Sequence, residues 1–243
     1  MKYSLFALIV VAVIVLAYGM YQYIRVSSLV RKGRDLSSNA VSYDRHGEYP
    51  LSFLVVGDST AVGVGASATT SVPAYLAEIF NASIENHAKS GARLKDIRNQ
   101  ISNVEQKRYD FVLIQGGAND VMFGSSYQRI RNETDLILKE ANRLSSHVIF
   151  LTAGDIGEAP LWPWPVDWYM THRTKKVRSD IMRKVNEHNS LYVDLYSLPT
   201  PFKEHPQRYY ASDFLHLSSE GYAVWAALIH SEILDFWADV HDR

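Results

Sequence analysis

Five residues of this chain have chemistry to offer, and they sit in four short blocks. Ser59 stands in GDST, with Gly63 and Gly65 soon after it. Gly91 lies in AKSGARL, Asn119 in GGAND, and Asp213 precedes His216 by three positions in Asp213-Phe214-Leu215-His216. A serine hydroxyl is a weak nucleophile at neutral pH; it needs a base, and the base needs a partner to orient it. An Asp three residues before a His supplies both from one tight turn. Acyl transfer also needs fixed donors around the oxygen that becomes negative, a part open to the Asn119 amide and an exposed Gly91 N–H. Taken singly, each block has a plainer reading. Ser59 reads as a helix cap, Asn119 as a turn residue, Gly91 as a helix-entry glycine, and the Asp–His pair as a capping turn or half a metal site. The glycines after Ser59 match neither the dinucleotide fingerprint nor the phosphate loop, and no other residues have metal-ligand spacing, so neither a cofactor nor a metal is expected.

The elements that must position these residues can be read from the pattern. Short apolar runs rich in β-formers occur at 51–57, 83–88, 110–116, 147–153 and 191–196. Helical spacing lies between and after them, at 72–80, 95–104, 127–144, 174–188 and 218–237. Five alternations of strand and helix predict a three-layer α/β domain with a mainly parallel sheet. In such sheets the chemistry gathers at the carboxyl ends of the strands. Ser59, Gly91 and Asn119 follow the first three runs directly, and His216 precedes the last helix, so the topology brings all of them to one edge. Asp58 and Asp120 flank the key residues and read as scaffold carboxylates. His87, His147, His172, His188 and His230 have no motif around them.

Together these blocks resemble the SGNH (GDSL-type) hydrolases, named for the Ser, Gly, Asn and His of their four motifs. The resemblance covers residues 51–237, with all four blocks in order. It implies a flavodoxin-like sheet of five parallel strands in the order 2-1-3-4-5. It also implies Ser59 as nucleophile, His216 as general base and then acid, and Asp213 as the residue that orients the histidine. The oxyanion hole it implies is the amides of Ser59 and Gly91 with the Asn119 side chain. Thr60 departs from the common GDSL pattern, where Leu is frequent. The stretch GDSTAVGVGA is similar to a bacterial esterase and lipase subgroup.

Residues 3–24 carry no formal charge and are mostly Leu, Ile, Val and Ala. As a helix they extend about 33 Å at ~1.5 Å per residue, enough to cross a hydrocarbon core of about 30 Å. The segment is read as a transmembrane anchor (1–25), with a cleaved signal as the alternative because Ala17-Tyr18-Gly19 has small-x-small character. Residues 26–50, mixed polar and basic, read as a tether, and 51–243 as the hydrolase domain. Arg25, Arg31, Lys32 and Arg34 favour a cytoplasmic domain by the positive-inside rule, whereas a short basic tail before an apolar run is how export signals begin. The expectation leans to the extracytoplasmic side. A formal net charge of -1 gives no field for nucleic acid, and the absence of cysteine excludes disulfides and thiol chemistry.

Residues 154–170 hold Trp162, Trp164 and Trp168 with three prolines. They are expected to wall an acyl pocket, to pack as a surface loop, or to touch a membrane interface. A fatty-acyl ester or lysophospholipid suits the first and third readings. Removal of acetyl groups from sugars and acyl transfer use the same site. A membrane-tethered binding module without activity is the alternative of another class.

Overall fold

The computed structural model describes residues 2–105, 108–197 and 201–241. Met1, Asp242 and Arg243, the ends of the expected anchor and hydrolase segments, lie outside the described residues. Five strands form one parallel sheet: β1 (Leu51–Gly57), β2 (Ala82–Asn86), β3 (Phe111–Gln115), β4 (His147–Leu151) and β5 (Leu191–Val193). Their order is β2-β1-β3-β4-β5, the flavodoxin-like order that the motif blocks imply. The inner strands are buried on both faces, which is why they read as continuous apolar runs without alternation. Phe53 and Val55 of β1 face one core and Leu54 and Val56 the other.

The helices are α1 (Lys2–Asn39), α2 (Ser59–Val62), α3 (Val72–Ile79), α4 (Leu94–Ser102), α5 (Ala118–Met122), α6 (Tyr127–Leu144), α7 (Val166–Glu187), α8 (Pro206–Tyr209) and α9 (Ser219–His241). Helices α3 and α9 cover the Phe53 face, and α4, α6 and α7 cover the Leu54 face. Register aligns the carboxyl ends: Gly57 pairs with Gln115, Gln115 with Leu151, and Leu151 with Val193. The segments leaving these ends therefore start from one row.

Two expectations change. The stretch expected as a tether is helical to Asn39, continuous with the apolar run, and α1 spans roughly 57 Å at ~1.5 Å per residue. Its distal half docks on the domain: Leu29 is buried, and Leu36 and Ala40 pack against the core. Beyond it, Arg45 pairs in antiparallel fashion with Ile84 and Asp44 accepts the Asn86 amide, so this stretch also straps the free edge of β2. The second change is at α7, which begins eight residues before the expected position. Pro163 and Pro165 punctuate the chain just ahead of it, and Asp167 in its first turn complements the helix dipole.

Candidate active site

Chain leaving β1 enters α2 at once, and Asp58 caps it by accepting the Thr60 amide and hydroxyl, each at 2.9 Å. Ser59 is thereby the first residue of a short helix at the carboxyl end of an inner strand. The strand end itself is clamped. Gln100 of α4 accepts from the Gly57 amide at 2.8 Å and donates to the Gly57 carbonyl at 3.0 Å.

Across the cleft, Ser59 Oγ lies 3.0 Å from His216 Nε2, and His216 Nδ1 lies 2.6 Å from Asp213 Oδ2. The other Asp213 oxygen accepts the amides of Leu215 and His216, both at 3.1 Å. The three side chains form one hydrogen-bonded row. The turn that presents Asp213 and His216 is held by two bonds: Ala211 donates to the His216 carbonyl at 2.8 Å, and Leu161 to the Phe214 carbonyl at 3.1 Å. Gly65 permits a close approach here. A Cβ at that position would stand 2.8 Å from the Ala211 Cβ and 3.2 Å from the His216 Cβ.

Burial pushes the Asp213 carboxyl up, but the hydrogen bond and charge of His216 and the two amides outweigh it and hold Asp213 below the usual carboxylate range. Asp58 is the opposite case. Burial dominates over its bonds to Thr60 and raises it to about 6. Its Oδ2 has no hydrogen-bond partner among the described residues.

Asn119 lies buried in the first turn of α5, and its Nδ2 donates to the Ala92 carbonyl at 3.0 Å. One amide hydrogen is thus used to hold the Gly91 segment, and the second is left for another acceptor. Gly91 itself takes a left-handed φ of 79°. No hydrogen bond from the Ser59 or Gly91 amide is found among the described residues. Asp120 Oδ2 accepts the Leu94 amide at 2.9 Å, and burial raises its carboxyl. Its scaffold part is plain from these bonds. Arg173, which carries no motif, is buried and donates to the carbonyls of Val121 (2.9 Å), Asp120 (3.1 Å) and Ser125. A cation there satisfies the carboxyl end of α5 and so steadies the turn that carries Asn119.

A cavity of about 300 Å³ opens beside Ser59 and His216. Its apolar wall includes Met122, Ile156, Phe202, Leu215 and Trp225. Of the three readings of Trp162, Trp164 and Trp168, the pocket wall is not met, since none of them lines this cavity. Trp162 packs against the Leu54-side core, while Trp164 and Trp168 are 72% and 69% exposed. The helical phase of α7 explains this for Trp168, because Met170, Arg173, Thr174 and Val177 take its inward face. Among the described residues no cluster of His, Asp and Glu is arranged to hold a metal ion.

The model of the GDSL-like lipase/acylhydrolase family matches residues 55–224. The chain belongs to this family. As a GDSL-like hydrolase it is an enzyme of ester bonds, and its fold has solved counterparts. An acetylxylan esterase from Geobacillus stearothermophilus superimposes with a TM-score of 0.59 at 20% identity, covering 77% of this chain and 95% of that one. A phospholipase A1 from Streptomyces albidoflavus NA297 gives 0.60 at 16% identity, over 75% and 99%. An extracellular lipase from Streptomyces rimosus gives 0.58 at 16% identity, over 75% and 99%. At these identities the likeness is one of fold. A search of the curated proteins found no match. The family match begins after α1, so the docked helix of this GDSL-like hydrolase lies outside the matched region.

Proposed function

We propose that the chain hydrolyses carboxylic esters through an acyl-enzyme, with Ser59 as nucleophile, His216 as base and acid, and Asp213 as its orienting partner. The observation that carries this reading is the unbroken row from Ser59 Oγ through both His216 nitrogens to Asp213. His216 Nε2 takes the Ser59 proton as the oxygen attacks the carbonyl carbon. The carbonyl π electrons move onto oxygen, and the amides of Ser59 and Gly91 with Asn119 Nδ2 hold that oxyanion. When the tetrahedral intermediate collapses, the C–O bond to the alcohol breaks and His216 returns its proton to the departing oxygen. Water then repeats the cycle on the acyl-enzyme. Asp213, held ionised by its bonds, stabilises the imidazolium formed in each half.

The apolar side of the cavity can take an acyl group with a hydrocarbon portion, and Asp155, Glu158, Lys203 and Tyr210 line the same space for a polar one. Helix α1 serves as the anchor, since its apolar stretch is long enough to span and is unburied by the rest of the chain. On this reading the domain lies on the extracytoplasmic side, and the Streptomyces rimosus lipase of the same fold is described as extracellular. Protease accessibility of the domain in intact cells checks that side. The catalytic reading is tested with a fluorophosphonate probe: wild type is expected to label and Ser59→Ala to remain unlabelled. Equal labelling of both would place the nucleophile elsewhere, and labelling of neither would favour an inactive binding module.

A further inference from the structure

Arg25 is the first charged residue after the apolar stretch of α1, so it marks the level at which the helix leaves hydrocarbon. Its guanidinium donates to the carbonyl of Leu161 at 3.2 Å and also to that of Pro160. Both carbonyls belong to the segment between the cavity wall and α7. Ile156, Glu158 and Ala159 of this segment line the cavity, and the Leu161 amide bonds the turn that carries Asp213 and His216. One rim of the cavity is therefore joined by a single side chain to the membrane boundary of the helix.

From that rim the chain runs outward to three exposed aromatic residues, Trp164, Trp168 and Tyr169. Trp168 stacks on His172 of its own helix. Such rings, apolar with one polar edge, are favoured at the level of lipid headgroups. The attitude of the domain is also constrained. Val26, Leu29, Gly33, Leu36 and Ala40 recur at alternating steps of three and four along α1, and this stripe lies on the domain. Gly33 is close enough to the catalytic turn that a Cβ there would stand 2.9 Å from Asp213 Oδ2. Helix α1 thus leans on the active-site side of the domain, and its contacts set how the cavity faces relative to the helix axis.

We propose that the rim bearing Trp164, Trp168 and Tyr169 is a membrane-docking surface, and that the enzyme draws acyl esters of membrane lipids directly from the bilayer. This rests on the esterase reading above and names its substrate class.

The test uses the full chain reconstituted in phosphatidylcholine–phosphatidylglycerol vesicles. With lipids brominated near the headgroup, tryptophan fluorescence is expected to be quenched, and most of that quenching to be lost in the Trp164→Phe/Trp168→Phe variant. Quenching that is absent, or unchanged in the variant, overturns the docking surface. In parallel, Trp164→Ser/Trp168→Ser is expected to lower hydrolysis of a fatty-acyl ester embedded in the vesicles about tenfold, since interfacial binding scales with the apolar area inserted. Hydrolysis of soluble p-nitrophenyl acetate stays at the wild-type rate. Equal rates for variant and wild type on the embedded ester overturn the proposal. A wild type active on the soluble ester alone overturns it while leaving the esterase reading intact. A wild type active on neither overturns both.

Discussion

Two turns flank Ser59, each carrying a carboxylate that is 1% exposed, and they are built to opposite ends. The turn at Asp213 gives its carboxylate a histidine ring and two amides, spread over both oxygens. The turn at Asp58 satisfies one oxygen through Thr60 and leaves the other without a hydrogen bond among the described residues. Burial raises both carboxyls, but only at Asp213 do the partners reverse the sign. The number and charge of the donors go with the sign of the shift: Asp213, with more partners, is held ionised, and Asp58, with one partner residue, is not.

The sharpest way to break that contrast is Asp213→Asn. It keeps the size of the side chain but removes the charge that supports the imidazolium, and kcat is expected to fall about 10³–10⁴-fold. A loss below tenfold in steady-state kinetics would mean that the Asp213 turn is structural. Asn119→Ala comes next, with a fall of about 10²–10³-fold if its free amide hydrogen stabilises the oxyanion. The effect should appear in kcat, with KM for a short ester nearly unchanged. Gly33→Val reaches the same carboxylate from outside the family domain, and pushing Asp213 aside is expected to cost about tenfold in kcat. An unaltered kcat in a folded Gly33→Val protein would show that α1 is no part of the site's frame.

Asp58→Asn is the smallest in activity, within about twofold, and its signature is in stability. The folded-state value of about 6 lies above the ordinary 3.8, so the folded protein holds this proton more tightly than the unfolded chain does. Stability linked to Asp58 is full below pH 3.8 and is lost as pH rises through about 6, by at most about 3 kcal/mol. The Tm of Asp58→Asn relative to wild type should therefore be higher at pH 7.5 than at pH 4. A gap that does not change with pH would contradict the half-paired state of Asp58. For Asp213 the sign reverses, and its contribution is kept above the ordinary carboxylate range and lost as pH falls below it.

The strands were legible because burial on both faces leaves unbroken apolar runs, and the resemblance carried by the four motif blocks supplied their order. What escaped were features whose signal is a partner. Arg173 and Gln100 look like ordinary helix residues until the carbonyls and strand end that they hold are in place. Composition alone leaves the tryptophans open to three readings, and for Trp168 the phase of α7 decides against the pocket because Met170, Thr174 and Val177 take the inward face, while Trp225 of α9 walls the cavity. The docked half of α1 did leave a trace. Its stripe from Val26 to Ala40 has helical spacing, but small and polar residues dilute it and the basic side chains read as tether.

That stripe has a consequence for the processing of the chain. A cut after Gly19, at the small-x-small site, would leave the docked part of α1 in place, with Arg25 on the rim carbonyls and Gly33 beside Asp213. The released enzyme would keep both contacts. One proteolytic event would therefore change where the protein finds substrate without dismantling the machinery that cleaves it. A recombinant fragment begun at residue 36 would lose the Arg25 and Gly33 contacts.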